Sequence, residues 1–152
     1  MIESREPFSY KEDKSVPTFP DTAVFTVMDA QCGLCAKGAT WIAQNDLKQE
    51  FTIIPLQSAL GNALIAHYGM NPDDPASWLY VEDGRAFCSL NAFIRAGHRL
   101  GGKWKLLSLL DILPTSLQDR LYRFFAVNRL RFFGSADLCE LPHSEVQKRL
   151  LR

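Results

Sequence analysis

Two cysteines separated by two residues, Cys32 and Cys35, follow a short apolar run and open a segment with helical spacing. A cysteine thiolate is the nucleophile in disulfide exchange and is also a metal ligand. A helix N-terminus favours the thiolate because unpaired backbone N–H groups and the helix dipole point at it. We therefore predict that Cys32, at the helix start, attacks disulfides. Cys35 lies one turn further along the apolar stripe and is predicted to be the more buried, resolving thiol.

Asp29 lies three residues before Cys32, at the mouth of the same turn. Its carboxylate could accept the proton of Cys35 or supply it during exchange, so we place it with the catalytic residues. The alternative is that it only satisfies backbone donors of the turn. Its negative charge opposes the helix dipole, which favours a reductant over a strong oxidant.

A structural zinc site is the alternative for the same pair. Cys139 and His143, spaced C-x-x-x-H, could complete a Cys3His set with Cys32 and Cys35 in a noncatalytic zinc-binding or protein-interaction module. They lie far along the chain, whereas the ligand pairs of structural zinc sites usually enclose a short loop. A Cys-x-x-Cys next to a β-α-β pattern is typical of redox proteins, so we predict a redox pair and no metal.

The predicted elements place the cysteine pair at a strand-to-helix junction. Residues 23–28 form an apolar, β-branched run typical of a buried strand, and helical spacing extends over 32–46. A second strand is predicted over 51–55, and Ser58 is a candidate N-cap of the helix that follows. A right-handed crossover through the first helix makes the two strands parallel.

The pattern then changes to a hairpin, with strands over 77–81 and 86–89 and Asp83-Gly84 at the turn. Ser89 is the candidate N-cap of a third helix, which runs to a Gly-Gly pair. The predicted order is β-α-β-α-β-β-α, that of an α/β thioredoxin-like domain. We assign residues 21–102 to this core.

Segments on both sides of this core complete a single-domain chain of 152 residues. Residues 1–20 contain three prolines, charged side chains and no apolar run long enough for a secretory signal, so we predict a flexible tail. Residues 103–152 have helical character and are predicted to be an extension packed on the core. Their stretch rich in aromatic residues and arginine, 119–134, could contact a membrane surface or nucleic acid, but it is interpreted as core and interface packing with the arginines facing solvent.

Composition argues against several classes of partner. Seventeen basic residues balance 17 acidic ones, so no net field is expected to attract nucleic acid or an anionic membrane. The most apolar stretch, residues 104–114, has about half of the ~20 residues that a membrane helix needs, so we predict no membrane span. Four cysteines without an export signal indicate a reducing compartment, and we predict a cytoplasmic protein. The oligomeric state stays open.

The chain resembles the DCC family of thiol-disulfide oxidoreductases, named for an Asp, a Cys and a Cys. Asp29, Cys32 and Cys35 fall on its D-x-x-C-x-x-C motif. The resemblance extends over residues 23–142 through four further blocks: IIPLQS, VEDGRAFCSLNA, RLGGKWKLLSLLDILP and LYRFFAVNRLRFFG. It implies a thioredoxin-like fold and exchange with a disulfide-containing protein or a small thiol substrate. No metal or organic cofactor is required, and glutathione or another thiol would donate the electrons.

The candidate substrate-binding residues are expected beside the pair in such a fold. Where thioredoxins place a cis-proline, just before the third strand, this sequence has Ala76 or Ser77, with Pro75 close by and out of register. The pattern that starts at Asp83 is similar to the glutathione-binding edge of glutaredoxins, in which a serine at a helix start holds a carboxylate. Ser89 is the candidate for that role, and Ser77 and Pro75 are the further candidates.

Overall fold

The computed structural model describes residues 6–19, 24–29, 31, 33–71, 78–128, 131 and 144–151. None of the helices in these residues has the length and apolar character to cross a membrane. In chain order the elements are a 3-10 turn (Ser9–Lys11), β1 (Val24–Met28), α1 (Gly33–Asn45), β2 (Phe51–Pro55), α2 (Ala59–His67), β3 (Leu79–Glu82), β4 (Arg85–Cys88), α3 (Ser89–Leu100), a 3-10 segment (Gly102–Ile112), α4 (Thr115–Val127) and α5 (Ser144–Arg149).

The described strands form a four-stranded mixed sheet in the order β2-β1-β3-β4. β1 pairs in parallel with β2, with α1 as the crossover, and antiparallel with β3, which forms the hairpin with β4. This confirms the predicted β-α-β-α-β-β-α order and is consistent with a thioredoxin-like fold. All five residues of β1 are buried, as expected for a central strand that is covered on both faces.

Local sequence signals account for several element boundaries. Ser58 caps α2, because its Oγ accepts from the Gly61 N–H at 2.9 Å. Asp83 and Gly84 turn the hairpin with φ of 49° and 81°, the positive values that a type I′ turn needs. Gly101, with φ of 79°, follows the last residue of α3.

Alternate residues of β1 face two separate cores. Val24 and Met28 belong to a cluster with buried residues of α1 and α3, whereas Phe25 and Val27 belong to a cluster with residues of α2. The sheet is therefore a middle layer, with α1 and α3 on one side and α2 on the other. This arrangement holds the end of β1 and the start of α1 in fixed positions.

The N-terminal segment contributes to the second of these cores. Tyr10 is 3% exposed, and its ring packs edge-on against Phe25 at 5.3 Å, as does the ring of Phe19. The Phe8 N–H donates at 3.0 Å to a backbone carbonyl in the hairpin turn. Residues 6–19 therefore differ from the flexible tail that composition predicts, because their aromatic side chains bury apolar surface against the sheet.

The 3-10 segment and α4 pack on the side of the sheet that carries α1 and α3. Trp104 anchors the 3-10 segment: its ring contacts Trp41 of α1 edge-on at 5.2 Å, and its Nε1 donates to Asn45 Oδ1 at 2.9 Å. In α4, Tyr122 packs against the core cluster, whereas Phe124 is 53% exposed. The core packing predicted for Phe124 and Phe125 is therefore wrong, because they are 53% and 48% exposed, and Phe132 and Phe133 lie outside the described residues.

α5 lies beside α1 and β2. Arg149 and Asp46 form a buried ion pair in which Nε lies 2.9 Å from Oδ2, and Arg149 Nη2 also donates to Asp46 O at 3.1 Å. Leu150 forms a parallel bridge with Ile53, and the Leu151 N–H donates to Ile53 O at 2.8 Å. The segment that follows α5 therefore adds a short backbone contact to β2.

Candidate active site

The candidate site lies where the parallel strands β1 and β2 end. Asp29 directly follows β1, and α1 begins at Gly33. Leu56, the residue after β2, donates its N–H to Met28 O at 2.7 Å, so the two strand ends are held side by side. The carboxyl ends of parallel strands are the usual place for ligands in open α/β sheets. The junction predicted from the sequence is therefore in a position suited to chemistry.

Asp29 is half-buried, and two donors fix the orientation of its carboxylate. Oδ1 accepts from the Gln31 N–H at 2.9 Å and from Gln57 Nε2 at 2.7 Å. The first bond satisfies a backbone donor of the turn, which is the alternative role that the sequence allows for Asp29. The role in proton transfer stays a prediction.

Sequence reasoning misses Gln57. It lies between the end of β2 and Ser58, the N-cap of α2, and its side chain reaches across to the end of β1. The available signal is a polar side chain just after the second of two parallel strands, where residues from neighbouring strand ends meet. Gln57 therefore joins Asp29 as a candidate site residue.

Cys35 is the third residue of α1 and lies in its first turn. Its side chain is half-buried and packs against the core cluster that contains Met28 and Trp78. Cys32 directly precedes α1 and lies outside the described residues. The predicted difference in burial between the two thiols, and their assigned roles, therefore stay predictions.

Trp78 belongs to the core cluster against which Cys35 packs. Its indole Nε1 donates to Thr26 Oγ1 at 2.6 Å, and this hydroxyl donates in turn to Leu79 O at 2.8 Å. The Trp78 ring stacks on Tyr122 of α4, with 6.4 Å between ring centroids and 22° between planes. The helical extension therefore reaches the core that supports the candidate site.

Two of the predicted substrate-binding residues, Pro75 and Ser77, lie outside the described residues. β3 begins at Leu79, two residues later than predicted, so Trp78 directly precedes the strand. The position just before the third strand is thus occupied by a buried tryptophan, and the prediction of Ala76 or Ser77 there is wrong. Among the described residues, Leu79 is the first of this strand to pair with β1 and β4.

Ser89, the third candidate, is the first residue of α3. The N-cap position belongs to Cys88, so the predicted N-cap role of Ser89 is wrong by one residue. The chain is already helical at Ser89 because β4 ends at Cys88 and the turn into the helix follows at once. Backbone N–H groups at a helix start can bind a carboxylate, so substrate binding at Ser89 stays a prediction.

The described residues do not test the alternative zinc site. Cys32, Cys139 and His143 all lie outside them. In the part of the chain that is described, no three His, Cys, Asp or Glu side chains come together as a metal site. Cys88 lies on β4, as predicted, and is half-buried.

A second polar cluster fastens the N-terminal segment to α2. His67 Nε2 lies 2.8 Å from Ser9 Oγ, and His67 Nδ1 lies 2.6 Å from Asp13 Oδ2. This is the order of groups in a Ser-His-Asp relay. Acyl transfer also needs backbone donors for an oxyanion, and the Ser9 N–H is already donated to Glu6 O at 3.1 Å. We therefore assign the cluster a structural role.

A third polar network lies at the other end of β1, away from the candidate site. Arg99 of α3 donates to Glu50 Oε1 at 2.9 Å and to Asp83 Oδ2 at 3.1 Å. The Tyr80 hydroxyl donates to Glu82 Oε2 at 3.0 Å, and burial raises the pKa of Tyr80 well above its usual value. These contacts tie α3 to the hairpin and to the start of β2.

Comparison with known proteins gives one family over most of the chain. The family model of the DCC1-like thiol-disulfide oxidoreductases matches residues 26–135. The chain is 31% identical over 125 residues to the uncharacterized protein YuxK of Bacillus subtilis, which covers 82% of this chain and 91% of that protein. It is 30% identical over 122 residues to the chloroplastic DCC family protein At1g52590 of Arabidopsis thaliana, which covers 80% of this chain and 71% of that protein. No solved structure matches the chain significantly.

Proposed function

Because this chain belongs to the DCC1-like thiol-disulfide oxidoreductase family, we propose that it exchanges dithiols and disulfides through Cys32 and Cys35. The observation that carries the proposal is the start of α1 at Gly33. Cys35 falls in the first turn of this helix, and we propose that Cys32, three residues earlier in the sequence, lies at the helix N-terminus, where a thiolate is favoured. This spacing lets two sulfurs reach disulfide geometry with little backbone movement.

In the reducing direction, the Cys32 thiolate attacks one sulfur of the substrate disulfide, and the substrate S–S bond breaks as the mixed disulfide forms. The released substrate thiolate takes a proton. Cys35 then loses its proton and attacks the Cys32 sulfur, which releases the second substrate thiol and leaves a Cys32–Cys35 disulfide. Two electrons pass from the cysteine pair to the substrate. Glutathione or another thiol then returns the pair to the dithiol form.

We propose that Asp29 takes the proton that leaves Cys35. The Gln31 N–H and the Gln57 side-chain amide anchor the Asp29 carboxylate at the end of β1. Each of these two donors is a neutral amide N–H, and together they orient the carboxylate. An oriented, charged carboxylate is what general base catalysis needs.

The proposed substrate is a disulfide-containing protein or a small disulfide, with Ser89, Ser77 and Pro75 as candidates for contacting it. The start of α3 at Ser89 would favour a carboxylate group on the substrate, because helix N-termini attract anions. We propose the cytoplasm as the compartment, since its thiol pools keep dithiol pairs reduced between turnovers.

A redox titration of the cysteine pair, read by the mass shift on thiol alkylation, tests the proposed function. In the wild type, Cys32 and Cys35 should become protected together and reversibly. Cys32→Ser and Cys35→Ser should each abolish this protection, and Cys88→Ser should retain it as the control. A pair that forms no reversible disulfide would contradict the proposal. Stoichiometric zinc that is lost in Cys139→Ala would identify the zinc site instead.

A further inference from the structure

The 3-10 segment and α4 expose large apolar side chains at intervals along the sequence. Each is at least 40% exposed, and Ile112 reaches 81%. We call them the apolar surface: Leu106, Leu109, Ile112, Leu117, Leu121, Phe124, Phe125 and Val127. Leu106, Leu109 and Ile112 each keep more than half of their surface in water. Monomeric soluble proteins rarely expose more than a few hundred Å2 in one patch, so this surface requires a function.

The opposite side of α4 is firmly attached to the protein. Gln118 and Ala126 are buried, and Tyr122 stacks on Trp78. Gln118 Nε2 also donates to two carbonyls of the preceding segment, Leu110 O at 3.1 Å and Leu113 O at 2.9 Å. The 3-10 segment and α4 are therefore joined, and they present their outward side chains as one unit.

The outward side of α4 carries its apolar residues in one stripe. Leu117, Leu121 and Phe124 follow each other at i, i+4 and i+7, which places them on the same face of a helix. Arg120 is exposed and lies between them along the chain, at the border of this stripe. An apolar face bordered by cations is typical of helices that lie in the interface of a bilayer.

The charge of this region distinguishes between possible partners. Residues 102–128 contain four cationic side chains against two anionic ones, a net charge of +2 in a chain that is neutral overall. All six are exposed: Lys103, Lys105, Arg120, Arg123, Asp111 and Asp119. A second copy would bring another excess of positive charge to the same contact, which opposes association. An anionic surface is instead attracted by each exposed Lys or Arg.

We propose that the apolar surface docks on an anionic lipid bilayer. The leucine, isoleucine and phenylalanine side chains enter the boundary between headgroups and acyl chains, and Lys105 and Arg120 contact lipid phosphates. The protein lies on the membrane without crossing it. This docking does not depend on the cysteine pair. Membrane binding and the proposed redox function can therefore be tested independently.

Sedimentation with vesicles of phosphatidylcholine, with and without phosphatidylglycerol, tests the proposal on the full-length protein. The wild type should bind the vesicles that contain phosphatidylglycerol and should dissociate as salt is added, because salt screens the lipid charge. The double variant Leu109→Ser with Ile112→Ser should bind about tenfold more weakly or worse, since less apolar area enters the bilayer. The double variant Lys105→Glu with Arg120→Glu should lose the preference for phosphatidylglycerol.

The chain offers a matched control pair outside this surface. Leu47, 89% exposed, and Lys48, also exposed, lie between α1 and β2. Leu47→Ser with Lys48→Glu should bind like the wild type, and equal thermal melting curves would show that all variants are folded. Failure of the wild type to bind, or equal binding to both kinds of vesicle, would overturn the proposal. A dimer in light scattering that the Leu109→Ser and Ile112→Ser changes dissociate would also overturn it, in favour of a second copy.

Discussion

Gln57 Nε2 donates to Asp29 Oδ1 at 2.7 Å, and this bond joins the loops that follow the two parallel strands. Asp29 comes directly after β1, and Gln57 comes directly before the N-cap of α2. A hydrogen bond to a charged acceptor contributes about 1 to 2 kcal/mol at a position open to solvent. That is enough to hold the carboxylate mainly in one orientation next to the helix that carries Cys35.

Gln57→Ala should therefore slow resolution of the mixed disulfide roughly tenfold, because the carboxylate loses a positioning contact. Stopped-flow measurement of the second substrate thiol over a range of pH gives the rate. Gln44→Ala, on an exposed position of α1, is the matched control. A Gln57→Ala protein with the wild-type rate and pH profile would show that the contact only stabilises the loop.

Asp29→Asn separates the two roles of this residue. The amide oxygen of asparagine can still accept from the Gln31 N–H and Gln57, so the turn should keep its structure. The neutral side chain cannot take a proton, and the rate of resolution should fall by about 100-fold. A rate within about twofold of the wild type would assign Asp29 to the structure of the turn alone.

Arg149→Met should destabilise the protein by about 3 kcal/mol, because the buried Asp46 carboxylate loses its cationic partner and keeps only the backbone N–H donors of Glu50 and Phe51. Arg95→Met is the control: the Arg95 side chain is 48% exposed and lies 3.8 Å from Glu82, so the loss should stay below about 1 kcal/mol. Urea denaturation at neutral pH measures both. An equal decrease in the free energy of unfolding in the two variants would contradict the view that a buried ion pair contributes more to stability than an exposed one.

The attachment of the N-terminal segment should weaken in acid. Hydrogen bonds from the Ser15 hydroxyl and from His67 lower the pKa of Asp13 from 3.8 to about 2. A carboxyl whose pKa is lower in the folded state stabilises the fold fully above its unfolded pKa of 3.8. That contribution is lost as the pH falls through about 2. Asp13→Asn should remove this part of the pH dependence of the urea midpoint between these two values, and Asp119→Asn should not.

The sequence predicts the central part of the fold because its signals are local. The apolar runs of β1 and β2, the cap at Ser58 and the Asp83-Gly84 turn each depend on a few neighbouring residues. The packing of residues 6–19 has no such signal, since Tyr10 stands among charged residues and Phe19 between prolines, and neither belongs to a periodic apolar pattern. Their partner Phe25 lies in β1, so only the tertiary fold brings these rings together.

The candidate site likewise has positions that the local sequence predicts and contacts that only the tertiary fold determines. The positions of Asp29 and Cys35 at a strand-to-helix junction follow from the pattern around them. The bond from Gln57 depends on the direction in which the chain leaves β2, which composition does not encode. The place of Trp78 depends on where pairing between β3 and its neighbours begins. Contacts of this kind, which depend on the tertiary fold, could therefore be identified only from the structure.

Residues 150–151 have a consequence for association between molecules. β2 is at one edge of the described sheet, and an edge strand offers its N–H and C=O groups to strands of other chains, a route to aggregation. The Leu151 N–H occupies Ile53 O, and the ion pair between Arg149 and Asp46 holds the preceding helix in place. The buried ion pair thus keeps residues 150–151 against the edge of β2, where they hinder the addition of a strand from another chain. Loss of the ion pair should promote aggregation as well as unfolding.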